Sequence, residues 1–272
     1  MTLKNKLRNK DWGDIAKNSM EKSNLVRLFE ELRKRLIIVT VLVFVVAIIS
    51  FAFSEQVRHI LLLPGEMAYA ELETEELGLQ LVFLTPSEAL MANLRLAFIT
   101  SATVVLPIIL YQLLALAMTL VGRTKKAAAM LALVMYIMFT VGLSFAYFVV
   151  LPFTLNFFIG FSGADLVPTF SVARYITFTT SFIFSFGLVF QLPIVFWFLG
   201  SIGLVNTAFL RRNRKYALLI IVVIAAILTP PDVFSQALMC IPLLLLYELG
   251  IFMVYLASRR KKHSETTNTS IG

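Results

Sequence analysis

Few side chains in this sequence are suited to chemistry, and they fall in three kinds of place. Glu30 and Glu31 stand in Phe29-Glu-Glu-Leu32-Arg33-Lys34-Arg35, directly ahead of a long apolar run. A carboxylate pair on a charged segment binds cations, and a guanidinium best, because its planar fork meets a carboxylate through two charge-assisted bonds. The same acids also precede Lys34 and Arg35 by four residues, the favourable order for helix-surface ion pairs. The residues alone leave both roles open. Gln112, Gln191 and Glu248 lie inside apolar runs, where a polar group is costly unless paired. Each marks either a hydrogen bond between helices or a contact for a polar residue of a partner. Glu248 lies nearer the far end of its run, so it is expected to snorkel toward Arg259 or Arg260, or to be protonated. Thr85-Pro86-Ser87-Glu88 and Thr229-Pro230-Pro231-Asp232 read as helix starts. In both, Thr is the N-cap, Pro takes the first helical position and the acid sits at N3.

Other chemistries find no residues. With six crossings His59 and His263 fall on opposite sides of the membrane, and no Cys/His spacing fits zinc. Cys240 is the only cysteine, so no disulfide forms within the chain. There is no phosphate-binding loop, nucleophile elbow or HExxH. A membrane enzyme, a metal site and a cofactor are not expected.

The elements that must position these residues are transmembrane. Hydrophobic residues make up 59% of the 272-residue chain and only 15% are charged, with a mean hydropathy of +0.85. Apolar runs at 36–53, 96–121, 127–151, 175–202, 216–228 and 233–257 predict six crossings without β-barrel alternation. The expected fold is an all-α integral membrane bundle of six kinked transmembrane helices. Lys and Arg sort by side. Of 24, all but Arg58, Arg95 and Arg174 lie in the N-terminal tail, the second loop, the fourth loop or the C-terminal tail. Both termini are therefore expected in the cytoplasm. The net charge of +8 reflects this sorting and an attraction to anionic lipid, not nucleic-acid binding. Residues 1–27 read as a cytoplasmic tail, 28–257 as one membrane domain and 258–272 as a second cytoplasmic tail. The first 35 residues lack the apolar core of a cleavable signal.

Prolines shape the bundle. The run 216–228 has 13 residues, ~20 Å as a helix, against a hydrocarbon core of ~30 Å. Pro230, Pro231, Asp232 and Gln236 form the turn and shoulder of a short final hairpin, which must thin the bilayer, recruit a partner or sit behind other helices. A helix from Pro86 to about Leu120 is longer than a membrane needs and is expected to kink at Pro107; Pro193 marks another kink. Residues 54–87 read as an acidic outside loop with a turn at Pro64-Gly65. No internal repeat is visible, which weighs against a small-solute secondary transporter built on Gln112, Gln191 and Glu248.

The landmarks also occur in a telling order. Phe29–Leu36 precedes the first span; Phe83-Leu-Thr-Pro-Ser-Glu88 follows the first outside loop. Tyr111-Gln112, Phe145-Ala-Tyr-Phe148 with Pro152, and Phe186-Gly-Leu-Val-Phe-Gln-Leu-Pro193 come next, then Leu228-Thr-Pro-Pro-Asp-Val-Phe-Ser-Gln236 and Tyr247-Glu248. The chain resembles the TatC family, the polytopic subunits of the twin-arginine protein translocase, from about residue 28 to 257. The resemblance implies a receptor for the twin-arginine signal peptides of folded cargo. It also implies TatA- and TatB-like single-span partners, further copies of the chain and export driven by the proton-motive force, in a bacterial, archaeal or organellar inner membrane. It places signal-peptide binding on Glu31, with Glu30, Leu32 and Arg33 beside it. A second family glutamate falls on Lys125, within a loop that has no acid, and a frequent intramembrane glutamate falls on Gln191. Either Glu30 or Glu31 carries the contact alone, or the chain is a divergent paralogue with different cargo.

Overall fold

The computed structural model describes residues 29–70, 80–120, 124–161, 169–228 and 233–269. The chain opens with α1 (Phe29–Ala52) and, after a turn at Phe53, α2 (Ser54–Ala70). Strand β1 (Gln80–Val82) leads into α3 (Glu88–Leu120). Then α4 (Lys125–Phe145) passes through a π-helical turn (Ala146–Val150) into α5 (Leu151–Phe161). Strand β2 (Thr169–Ser171) enters α6 (Val172–Val189), which breaks before α7 (Leu192–Ser201). Short α8 (Thr207–Arg212), α9 (Arg214–Leu228) and long α10 (Val233–Thr269) complete the chain.

Among the described residues five helical stretches are long and apolar enough to cross a membrane: Phe29–Ala52, Glu88–Met118, Lys126–Gly160, Val172–Ser201 and Met239–Arg259. The sixth expected crossing, α9, is shorter than these. α9 has 15 residues, ~22 Å; it begins directly after the turn at Asn213 that ends α8. Helix α10 continues past the apolar run through Thr269.

The all-helical expectation needs one amendment. β1 and β2 pair in parallel, with Gln80 opposite Thr169, Leu81 opposite Phe170 and Val82 opposite Ser171. β2 runs straight into α6 and β1 precedes α3 by five residues, so two helices entering side by side bring their lead-in segments together in the same direction.

Proline does not act everywhere as the sequence implies. Pro64 lies inside α2, so Pro64-Gly65 is no turn. A proline at position 64 has no N–H for the carbonyl of Ile60, four residues back. The Tyr147 hydroxyl donates to that carbonyl instead, at 2.6 Å, and the Tyr175 hydroxyl donates to the next one, Leu61, at 3.1 Å. Tyr147 thus restores the partner that the proline removes, Tyr175 braces the next carbonyl, and the helix continues. Pro152 is handled differently. The backbone widens just before it, with Leu151 N–H reaching the Ala146 carbonyl five residues back, a local insertion that opens room for the ring. At Pro193 the helix gives way, and Phe190-Gln191 form a turn between α6 and α7.

The helices pack closely through glycine. A Cβ on Gly187 would lie 2.5 Å from Phe139 Cε2, and one on Gly250 would lie 2.4 Å from Phe196 Cδ2. α6 meets α4 at the first site and α10 meets α7 at the second. Phe139, Phe182 and Phe186 are fully buried at the centre. α1 is tied to α3 by Ser101 Oγ, which donates to the Val43 carbonyl at 2.6 Å, and by an edge-on Phe44–Phe98 contact. The rest of α1 and α9 presents large apolar side chains outward, among them Ile37, Ile48, Leu219 and Val223, as lipid-facing helices do.

Candidate functional site

The first charged segment folds as the opening turns of α1. Glu31 Oε2 lies 3.8 Å from Arg35 Nη2, one helical turn on. Arg35 Nη1 reaches across to α3 and donates to both the backbone carbonyl of Gln112 (2.9 Å) and its side-chain Oε1 (3.0 Å). The arginine is mostly buried and the Glu31 side chain is 50% exposed. Glu30, Arg33 and Lys34 are exposed and Leu32 is half-buried. Among the described residues Glu30 and Lys34 form no ion pair. The result is a carboxylate at the surface with a loosely held cation beside it, able to receive a second guanidinium.

Lys125 is the first residue of α4, after the N-cap Thr124, whose hydroxyl accepts from Ala127 N–H. The first turn contains no acid. A helix N-terminus is already positive, and the exposed Lys126 adds to that.

The three intramembrane polar residues do not meet. Gln112 belongs with Arg35 and Glu31. Glu248 pairs with Arg214 at 2.7 Å, which corrects the expected reach to Arg259 or Arg260; Arg259 lies instead over the Tyr255 ring. The cause is the short α9. Arg214 and Glu248 stand at matching distances from the hairpin turn, so the antiparallel helices bring them level. Gln236 is another rung of this hairpin, donating to the Val222 carbonyl at 3.1 Å. Tyr247 ties α10 to α8 through the Leu210 carbonyl at 2.9 Å. Pro230, Pro231 and Asp232 lie outside the described residues. With separate partners, Gln112, Gln191 and Glu248 offer no continuous polar path for a solute.

Gln191 is 93% buried by its 7% exposure. Its Nε2 donates to the Gly187 carbonyl at 3.2 Å, within its own α6–α7 unit, so the expected bond between helices is not made. Its Oε1 is buried and has no partner among the described residues. An unpaired acceptor at membrane depth is an opening for a donor.

Glu88 does more than the helix start suggested. Its Oε2 accepts from Leu84 N–H (2.6 Å) and Thr85 N–H (3.3 Å). Its Oε1 accepts from the Ser171 hydroxyl and from Ala173 N–H (3.0 Å). One carboxylate therefore caps two helices, α3 and α6, and holds β1 beside β2. The Thr85 part of the expected box is different: Glu88 N–H meets the Thr85 carbonyl at 3.1 Å rather than its hydroxyl, and α3 begins at Glu88, two residues after Pro86. Tyr147, Tyr175, Ser171 and Arg214 were not legible as site residues, whereas Arg35 was legible as the helix partner of Glu31. Only the Tyr-Phe pair and the level spacing of Arg214 and Glu248 gave a signal.

Among the described residues no three His, Cys, Asp or Glu side chains gather as metal ligands would.

Residues 27–242 match the family model described as Sec-independent protein translocase protein (TatC). The chain belongs to the TatC family. It is 37% identical over 226 residues to the Sec-independent protein translocase protein TatC of Carboxydothermus hydrogenoformans, covering 82% of this chain and 89% of that one. The TatC protein of Aquifex aeolicus is 37% identical over 241 residues, or 88% and 97% of the two chains. A crystal structure of the twin-arginine translocase receptor TatC superposes with a TM-score of 0.76 at 36% identity, over 85% of this chain and 99% of that one. The TatC fold and these bacterial relatives make the chain a multi-pass protein of the cytoplasmic membrane and a protein translocase component.

Proposed function

We propose that this chain is the signal-peptide-binding core of a twin-arginine translocase, which passes folded proteins across the cytoplasmic membrane using the proton-motive force. In this reading α9 is a sixth, short crossing and both termini are cytoplasmic. The observation that carries it is Glu31, a half-exposed carboxylate 3.8 Å from an arginine that is already committed to Gln112. A signal peptide's arginine pair replaces that loose contact with bidentate bonds. Glu30, Leu32 and Arg33 line the approach. Lys125 supplies no second carboxylate, so recognition rests on α1.

TatA- and TatB-like single-span subunits dock against the α6–α7 break, where the free Gln191 Oε1 accepts from a polar side chain of the partner helix. The short α9–α10 hairpin thins the bilayer beside that position. The deciding experiment is binding of a twin-arginine signal peptide to the purified protein, beside the same peptide with both arginines changed to lysine. Selective binding that Glu31→Ala abolishes supports the reading. Equal binding of both peptides, or binding indifferent to Glu31→Ala, refutes it and leaves a paralogue with different cargo.

A further inference from the structure

A second feature lies at the opposite end of α3 from Gln112. A cavity of about 440 Å³ opens between α2, α3, α4 and α6, with Ile99, Thr103, Thr140, Tyr147, Thr180 and Phe184 among its lining. Four of its six hydroxyls, all but those of Thr100 and Ser144, are already engaged. Thr103 donates to the Ile99 carbonyl at 2.9 Å, Thr140 to Tyr136 at 3.0 Å, Thr180 to Ile176, and Tyr147 to Ile60. The rest of the lining is apolar, with Leu61, Leu96, Leu143 and Ile183 beside the rings, so the cavity receives hydrocarbon rather than a polar solute. Its volume also limits the occupant. A helix ~10 Å across would use that space within about one turn, whereas an extended acyl chain fits along it.

The rim is charged. Arg95 stands one turn before Ile99 and two before Thr103, on the same face of α3. It is exposed, and it donates to Ser181 Oγ of α6 at 3.2 Å. Among the described residues no carboxylate pairs with it. Arg95 lies seven residues into a 33-residue helix that exceeds the hydrocarbon thickness by ~20 Å. That places the guanidinium at about headgroup depth and the cavity beneath it in the acyl region. An arginine at this depth with one hydroxyl partner has donors free for a phosphate.

We propose that this is a phospholipid site: one acyl chain of a lipid in the leaflet on the α2 side fills the cavity, and the phosphate of the same lipid rests on Arg95. The site is independent of signal-peptide recognition at Glu31. The probe is phosphatidylglycerol with a diazirine on one acyl chain, compared with the diacylglycerol carrying the same chain and no phosphate, in vesicles holding the full-length protein. Labelling should concentrate on 99–103 and 180–184 and exceed that of the diacylglycerol about fivefold, the worth of one arginine–headgroup attraction. Arg95→Gln should bring the two probes level without changing thermal unfolding, since Arg95 is exposed, and Arg95→Lys should keep most of the difference. Label spread evenly over α1 and α9, or unchanged in Arg95→Gln, overturns the proposal. So does a photoreactive side chain at position 103 that captures a polypeptide instead of lipid in native membranes.

Discussion

Arg35 and Gln112 stand 77 residues apart in sequence and are joined twice through a single nitrogen, Nη1, which reaches the Gln112 carbonyl at 2.9 Å and its Oε1 at 3.0 Å. This arrangement keeps Arg35 from closing on Glu31. Charge-assisted hydrogen bonds contribute ~1.5–3 kcal/mol, more than an exposed ion pair at 3.8 Å, so Gln112 wins the arginine. Gln112→Leu removes the side-chain acceptor and lets Arg35 swing toward Glu31. Affinity for a twin-arginine peptide should then fall about tenfold, read by peptide titration, while folding is largely kept. An unchanged affinity would mean that Arg35 does not compete for Glu31.

The Tyr147 hydroxyl serves a carbonyl that Pro64 cannot serve. Tyr147→Phe should lower stability in detergent by ~1–2 kcal/mol, because it leaves the Ile60 carbonyl unpaired. Pro64→Ala supplies an N–H to that same carbonyl. In the Pro64→Ala background the cost of Tyr147→Phe should therefore shrink, a coupling that a double-mutant cycle on thermal unfolding measures. Additive effects of the two changes would show that the tyrosine and the proline are unrelated.

Glycine at 187 exists for Phe139. With a Cβ at 2.5 Å from that ring, Gly187→Ala should destabilise by ~1–3 kcal/mol through overpacking. Phe139→Leu removes the obstructing ring edge. The pair Gly187→Ala with Phe139→Leu should be less destabilised than the two single effects combined. If Gly187→Ala alone unfolds at the parent temperature, α4 and α6 are not in this contact.

What the sequence disclosed and withheld follows from the range of each interaction. Apolar runs, helix starts and the short run before Pro230 are local, and they gave the spans, the start of α3 near Pro86 and the truncated α9. The Glu31–Arg35 spacing was equally local. The partners of Glu88, Gln112 and Glu248 were not, because each lies in another helix. Glu88 reads from sequence as the cap of its own helix, and nothing nearby points to Ser171. Glu248 was assigned to basic residues about three helical turns ahead, although Arg214 is level with it across the hairpin. Pro64-Gly65 misled for the same reason: the hydroxyls that let α2 continue come from Tyr147 and Tyr175, far along the chain.

Gln191 offers a way to separate a structural residue from a docking one. Its Nε2 bond to Gly187 is internal to its own helical unit, and its Oε1 is buried without a partner among the described residues. Replacing a group that already bears an unpaired acceptor with an apolar one of similar size is close to neutral for folding. Gln191→Leu should therefore unfold within a degree or two of the parent, since ~1 kcal/mol shifts the transition of a large domain by only a few degrees. Its capture of a TatA- or TatB-like single-span subunit should nevertheless weaken, because the partner's donor now faces hydrocarbon, and Gln191→Glu should restore capture by supplying an acceptor again. Loss of stability with undiminished capture would make Gln191 a packing residue and move the partner's docking surface elsewhere on the fold.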